Sequence, residues 1–272
     1  MERIKKALEK AQEQRQGNTA NQQQPVEGND SDKATETQEF AYLQTRHIDV
    51  SDDFLKQNRI IAGFDEDPRS YVYKILRTKI LQEMQSNNWN VLAVSSPNRG
   101  AGKSLTAINL AISMAMDANY SVLLVDLDLR NPSIHEYFGM PAEPGLSDYF
   151  SGEKTIPELL VHPRQEKMIM LPAGKAIQRS SDVLSTPKMQ QLIYDLKHRY
   201  SDRIIVVDLP PLLQTDDALV FLPNVDACVL VVAEGESDIE DVQKSIQLIE
   251  QKKYLGSILT KSAEGNLANE AI

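Results

Sequence analysis

The chain has 272 residues, 41% of them hydrophobic, and carries a formal net charge of −10 with a pI near 5.0. That length allows one domain with extensions or two small ones, and the acidic balance argues against non-specific nucleic-acid binding, which draws on basic surface. A single cysteine, Cys228, excludes an intrachain disulfide and a cysteine-rich zinc cluster, so a reducing cytoplasm is the natural compartment. In chain order, residues 1–15 read as a short amphipathic helix with Ile4, Ala7, Leu8 and Ala11 on one face. That small apolar face fits a solvated helix or a docking element. Residues 16–45 read as a disordered linker, since the chain from Gln16 to about Gln38 is polar and nearly free of large apolar side chains. No 18-residue apolar run and no signal-like segment stand out, so any membrane association is expected to come through a partner.

The globular part is expected over 46–262, with 263–272 as a flexible tail. Between 68 and 88 a helical pattern places Val72, Ile75, Leu76, Ile80 and Met84 on the buried side. Strand patterns follow at 91–94, 121–126, 168–171, 203–208, 226–232 and 255–259, with helices at 103–117, 187–199 and 238–252. Several strands are continuous apolar runs, as in strands buried on both faces. The predicted fold is therefore α/β: a mostly parallel central sheet between two helix layers, a three-layer α/β/α sandwich. Cys228, inside the run at 226–232, reads as a small buried hydrophobe.

Three strand ends carry the chemistry. The first leads into Pro97-Asn98-Arg99-Gly100-Ala101-Gly102-Lys103-Ser104, followed by an apolar-rich helix. This matches G-x-x-x-x-G-K-[ST] except that Pro97 replaces the first glycine. Such a turn curls backbone N–H groups into an anion nest, and the helix N-terminus adds its positive end. The predicted nucleotide contacts are Asn98, Arg99, Gly100, Ala101, Gly102, Lys103, Ser104 and Leu105. Lys103 would reach the β/γ-phosphates and the Ser104 hydroxyl would bind Mg²⁺. The second strand ends in Asp126, Asp128 and Arg130. Two neighbouring acids make sense around a cation, although a helix cap or an ion pair with Arg130 fits them as well. The third ends in Asp208 after four aliphatic residues, as a phosphate-loop protein uses to organise Mg²⁺. Lys-Ser, Asp-x-Asp and Asp at three strand ends together define a P-loop nucleotide site.

Residues from about 68 to 259 resemble the bacterial tyrosine kinases of capsule and exopolysaccharide assembly, the CpsD/CapB/Wzc type, within the MinD/ParA group of P-loop ATPases. The resemblance lies in VLLVDLDLRNPSIHEYFG, PGLSDYFSGE, LPAG at 171–174 and VVDLPPLLQTDDAL, in the family's order. Asn98 stands where MinD and ParA carry a signature lysine, which favours the kinase branch. The resemblance implies ATP and Mg²⁺ as cofactors. It makes Lys103 and Ser104 the Walker A pair, Asp126 and Asp128 the Walker A′ acids, and Asp208 the Walker B acid. Lys103, Asp126 and Asp128 are then catalytic, with Asp126 as base toward a tyrosine hydroxyl. Ser104 and Asp128 form the metal shell, with Asp208 acting through water. It also implies a membrane chain-length-determinant (polysaccharide co-polymerase) partner, a homo-oligomer, and tyrosine substrates on another protein.

Three departures qualify that picture. No tyrosine follows Tyr254, so a tail of acceptor tyrosines is not expected. The family's E-x-x-R-x-x-R helix is Tyr71-x-x-Lys74-x-x-Arg77, which puts ring formation in doubt. Thr260 stands where the family tends to have an asparagine near adenine. The start of the chain resembles kinase-like proteins encoded with exopolysaccharide systems. The alternative reading is a nucleotide-gated, MinD/ParA-like interaction switch without phosphotransfer.

Overall fold

The computed structural model describes residues 45–163, 167–200, 202–250 and 253–262. The expected N-terminal helix, most of the linker and the 263–272 tail lie outside them. In chain order the elements are β1 (Arg46–Ile48), α1 (Asp52–Gln57), α2 (Ser70–Ser86), β2 (Val91–Ser95), α3 (Lys103–Ala115) and β3 (Ser121–Asp126). Next come α4 (Ile134–Tyr137), α5 (Leu146–Ser151), α6 (Ile156–Leu159), β4 (Val161–Pro163), β5 (Met168–Leu171), α7 (Ser180–Leu184) and α8 (Pro187–His198). The chain continues through β6 (Arg203–Asp208), α9 (Asp217–Phe221), a 3₁₀ turn (Leu222–Asn224), β7 (Ala227–Ala233), α10 (Ile239–Leu248) and β8 (Tyr254–Thr260).

The strands form one sheet in the order β1-β4-β5-β3-β6-β2-β7-β8, parallel throughout except for the antiparallel β4–β5 pair. The expected mostly parallel sheet is present. Because strand side chains alternate between faces, each central strand feeds two cores. Leu92, Val94, Val122, Leu124, Ile204 and Val206 point to one, with α3 and the inner stripe of α2. Val91, Ala93, Leu123, Val125, Ile205 and Val207 point to the other, against α8 and α9. Cys228 lies in this second core and burial pushes its thiol up to about 12, as a packing residue requires.

Helix α3 is buried along nearly its whole length because it is held between the sheet and α2. Helix α8 begins with Thr186, whose hydroxyl accepts from Met189 N–H, with Pro187 in the first turn, where its missing N–H costs little. It buries Met189, Leu192, Ile193 and Leu196, a single helical stripe.

One expectation fails on α2. Val72 and Ile75 are 53% and 41% exposed, while Ile80, Leu81 and Met84 are buried. The inward stripe runs through Tyr73, Leu76, Ile80 and Met84, one position away from the 72/75 pair. Lys74 and Arg77 of this helix have partners within the domain. Lys74 Nζ lies 2.6 Å from Asp65, and the Arg77 guanidinium donates to the Ser113 carbonyl at 2.9 Å.

Candidate functional site

Parallel strands β2, β3 and β6 are neighbours, in register Ala93↔Val207 and Asp126↔Asp208. Their carboxyl ends therefore open together, where ligands gather in α/β sheets. After β2 the chain turns through Gly100 and Gly102, both at left-handed φ (+85° and +86°), a conformation that disfavours residues with a Cβ. Gly102 caps α3, so the helix N-terminus and Lys103 follow directly. The loop is braced from three sides. Leu212 N–H and Leu213 N–H donate to the Ser96 and Pro97 carbonyls at 2.8 and 3.2 Å. The Asn98 amide donates to Asp241 of α10 at 2.7 Å, and the Thr260 hydroxyl lies 2.7 Å from the Ala101 carbonyl. Thr260 thus supports the phosphate loop itself.

Within this frame Lys103 Nζ sits 2.9 Å from Asp128 Oδ2, 3.3 Å from Asp208 Oδ1 and 3.2 Å from Ser104 Oγ. Burial opposes the charge on Lys103, but Asp208 and then Asp128 outweigh it and hold the ammonium's pKa above its ordinary value. Burial likewise raises the Asp208 carboxyl, tempered by Lys103. Ser133 Oγ donates to Ser104 Oγ at 3.1 Å, a contact with no sequence motif behind it.

The two acids of the Asp-x-Asp pair behave differently. Asp128 meets the lysine, while Asp126 is held by backbone: its Oδ1 accepts from Asp128 N–H, and its Oδ2 from Ser133 and Ile134 N–H at 3.2 and 3.1 Å. Asp126 thus caps the start of α4, one of the alternatives open in the sequence, and Asp128 pairs with the Lys103 ammonium. Burial first, then Asp208, pushes the Asp126 carboxyl up to about 7. Arg130 turns away from both acids, its Nε lying 3.3 Å from Ser180 Oγ and 3.6 Å from Asp217 Oδ2. The chain therefore brings Gly100, Ala101, Gly102, Lys103, Ser104, Asp126, Asp128 and Asp208 to one sheet edge, with Asn98 drawn toward α10 and Arg99 exposed.

The donors fit a magnesium–nucleotide pair. A hydroxyl and carboxylate oxygens are the hard ligands Mg²⁺ takes, and that ion completes its shell with substrate phosphates. Among the described residues no group of three His, Cys, Asp or Glu side chains is placed to hold a metal. A cleft of about 550 Å³ adjoins the loop along Ala101, Gly102, Leu105 and Thr106 and reaches Thr260. Fold and site together define a P-loop nucleotide-binding protein of the α/β/α class.

Comparison with known proteins agrees. The ParA family, described as NUBPL iron-transfer P-loop NTPase, matches residues 87–258. The chain is 32% identical over 192 residues to the tyrosine-protein kinase CpsD of Streptococcus pneumoniae serotype 4, covering 70% of this chain and 82% of that one. It is 28% identical over 201 residues to the putative tyrosine-protein kinase CapB of Staphylococcus aureus, covering 72% and 87%. Of the longer putative tyrosine-protein kinase EpsB of Ralstonia nicotianae it spans only 28%. Among solved structures, the kinase domain of the Escherichia coli tyrosine kinase ETK superposes with a TM-score of 0.63 at 28% identity, covering 69% of this chain and 73% of that one. The chain belongs to the ParA-like P-loop NTPases and, within them, to the bacterial tyrosine kinases, a family of ATP-dependent phosphotransferases.

Proposed function

We propose that this chain is an Mg-ATP-dependent protein-tyrosine kinase of capsule or exopolysaccharide production, activated at the membrane by a separate chain-length-determinant protein. The observation that carries the reading is Lys103, enclosed between Asp128 and Asp208 at the mouth of a glycine-turned phosphate loop. Among the described residues no helix is long and apolar enough to cross a membrane, in keeping with a tether on another chain.

ATP supplies the γ-phosphoryl group, and Mg²⁺ offsets its charge. Backbone N–H groups from Asn98 to Leu105 orient the phosphates, and Lys103 carries its ammonium to the β/γ oxygens. Ser104 and Asp128 would hold the metal, and Asp208 would act on it through water. The tyrosine oxygen forms a bond to the γ-phosphorus as the bridge to ADP breaks, and the phenol proton passes to Asp126. A carboxyl raised to about 7 is a better proton acceptor near neutrality than an ordinary aspartate. Acceptor tyrosines lie on another protein or elsewhere in an assembly of this chain.

The test is incubation of the full chain with γ-labelled ATP and Mg²⁺, with and without the partner's cytoplasmic tail, followed by phosphotyrosine mapping. Label on tyrosine that disappears in Lys103→Met is expected; ATP hydrolysis with no labelled tyrosine overturns the kinase reading. One observation favours the nucleotide-gated switch instead: both Asp126 oxygens already accept backbone N–H groups. In that case ATP-dependent association survives Asp126→Asn.

A further inference from the structure

Helix α1 ends in a way that singles out Arg59. Its N–H donates to the Lys56 carbonyl at 3.0 Å, and Ile60 N–H donates to the Leu55 carbonyl at 2.9 Å, the two bonds of a Schellman cap. Arg59 occupies the left-handed position of that cap, with φ of 61°. Glycine is the favoured residue there, and a side chain costs about 1 kcal/mol. The segment that follows is fastened to the P-loop helix. Asn109 of α3, fully buried, accepts from Ile61 and Ala62 N–H at 2.8 and 2.9 Å and donates to the Arg59 carbonyl at 3.1 Å. Its amide also lies 3.0 Å from the Leu105 carbonyl, so Arg59 is set against the first turns of α3.

This placement puts Arg59 among the residues that line the cleft beside the phosphate loop, together with Gly102, Leu105 and Thr106. The other cations there are engaged, Arg69 with Asp67 and Lys261 with Glu236. Among the described residues Arg59 has no ion pair and is exposed. Its charge is felt in the site: burial and Asp208 raise the Tyr137 hydroxyl, and Lys103 and Arg59 both oppose that rise. Lys103 is paired with the two carboxylates Asp128 and Asp208, and Asp126 is buried beside them, so an arriving polyphosphate meets negative charge that a second cation would offset.

We propose that Arg59 is a nucleotide-binding residue, whose guanidinium contacts the polyphosphate of bound ATP along the flank formed by Gly102, Leu105 and Thr106. This deepens the nucleotide reading above and rests on it.

The left-handed cap supplies a clean probe, because Arg59→Gly removes the cation while relieving the backbone. A fluorescent ATP analogue is titrated with Mg²⁺ into the full chain, wild type, Arg59→Gly, Arg59→Lys and Lys103→Met, with adenosine as a competitor. Arg59→Gly is expected to weaken ATP binding about tenfold, the size of one charge-assisted hydrogen bond. Arg59→Lys falls between it and wild type, adenosine competes equally in both, and the thermal midpoint of Arg59→Gly equals or exceeds wild type. Wild-type affinity in Arg59→Gly overturns the assignment of Arg59 alone. An equal loss for adenosine overturns the phosphate contact. A wild type that binds no ATP overturns the nucleotide reading together with this one.

Discussion

Two buried carboxylate–cation groups lie at the carboxyl edge of the sheet, and one loop after β3 feeds both. Asp128 turns to Lys103 and Asp208, where the lysine side chain is 11% exposed and Asp208 is fully buried. Arg130, two residues on, turns the other way to Asp217 and Ser180, with about a third of its side chain (34%) in solvent. Ser180 donates to Asp217 Oδ2 at 2.7 Å, and the other Asp217 oxygen is buried without a hydrogen-bond partner. The first group has more acid than its cation can balance. The second joins the loop to α7 and α9, helped by Ile177 N–H on the Leu129 carbonyl at 2.8 Å, and serves as a latch. Similar chemistry thus does two jobs, distinguished by enclosure and by charge balance.

The largest break in that comparison is Lys103→Met. Besides its expected effect on the proposed phosphotransfer, it leaves buried carboxylates without their cation, a loss of roughly 3–5 kcal/mol. The cost depends on pH. The folded-state pKa values of Asp126 and Asp208 are raised, to about 7 for Asp126. Stability from such groups is full below the unfolded value of 3.8 and is lost as pH rises through the folded one. Without nucleotide or metal, the variant should therefore melt progressively lower between about pH 4 and about pH 8, more steeply than wild type. Thermal unfolding across that range checks it, and a variant running parallel to wild type refutes the idea that Lys103 neutralises these acids.

Much of this architecture is legible in the sequence, for physical reasons. Central strands such as 204–207 are apolar at every position because both faces are covered, and their acids stand out at the ends. Lys103, Ser104, Asp128 and Asp208 were therefore readable as one site. Strands β1 and β4 have three residues each, too short for any pattern, and β4 contains His162 and Pro163. On α2 the buried stripe was misplaced because Tyr73 packs inward while aliphatic Val72 faces out. The supporting contacts left no trace in sequence. Asn109 reads as a polar break in an apolar helix, and Arg59 belongs to no motif, since both matter only through residues about 50 positions away.

A smaller effect comes from the latch. Asp217→Ala removes the partner of Ser180 and Arg130, but Arg130 can turn to water, so the loss should be about 1–3 kcal/mol. Chemical denaturation tests this. A loss as large as that of Lys103→Met would mean that the latch holds the fold as strongly as the site's own pairs do.

The smallest expected effect on stability is at Ser133, whose hydroxyl joins the loop after β3 to Ser104. Ser133→Ala deletes one partly buried hydrogen bond, about 1 kcal/mol, while the Ser133 N–H stays on Asp126. The fold should hardly notice. The Ser104 hydroxyl, however, loses the donor that turns its lone pairs, and in the metal role proposed for it a ligand left to rotate would bind less well. Titrating Mg²⁺ at fixed ATP should then require several-fold more metal for half-saturation in Ser133→Ala than in Ser133→Thr, which keeps the donor. Equal metal demand in the two variants would show that Ser104 is oriented by Lys103 and Asp208 alone, and that the loop after β3 reaches the site only through Asp126 and Asp128.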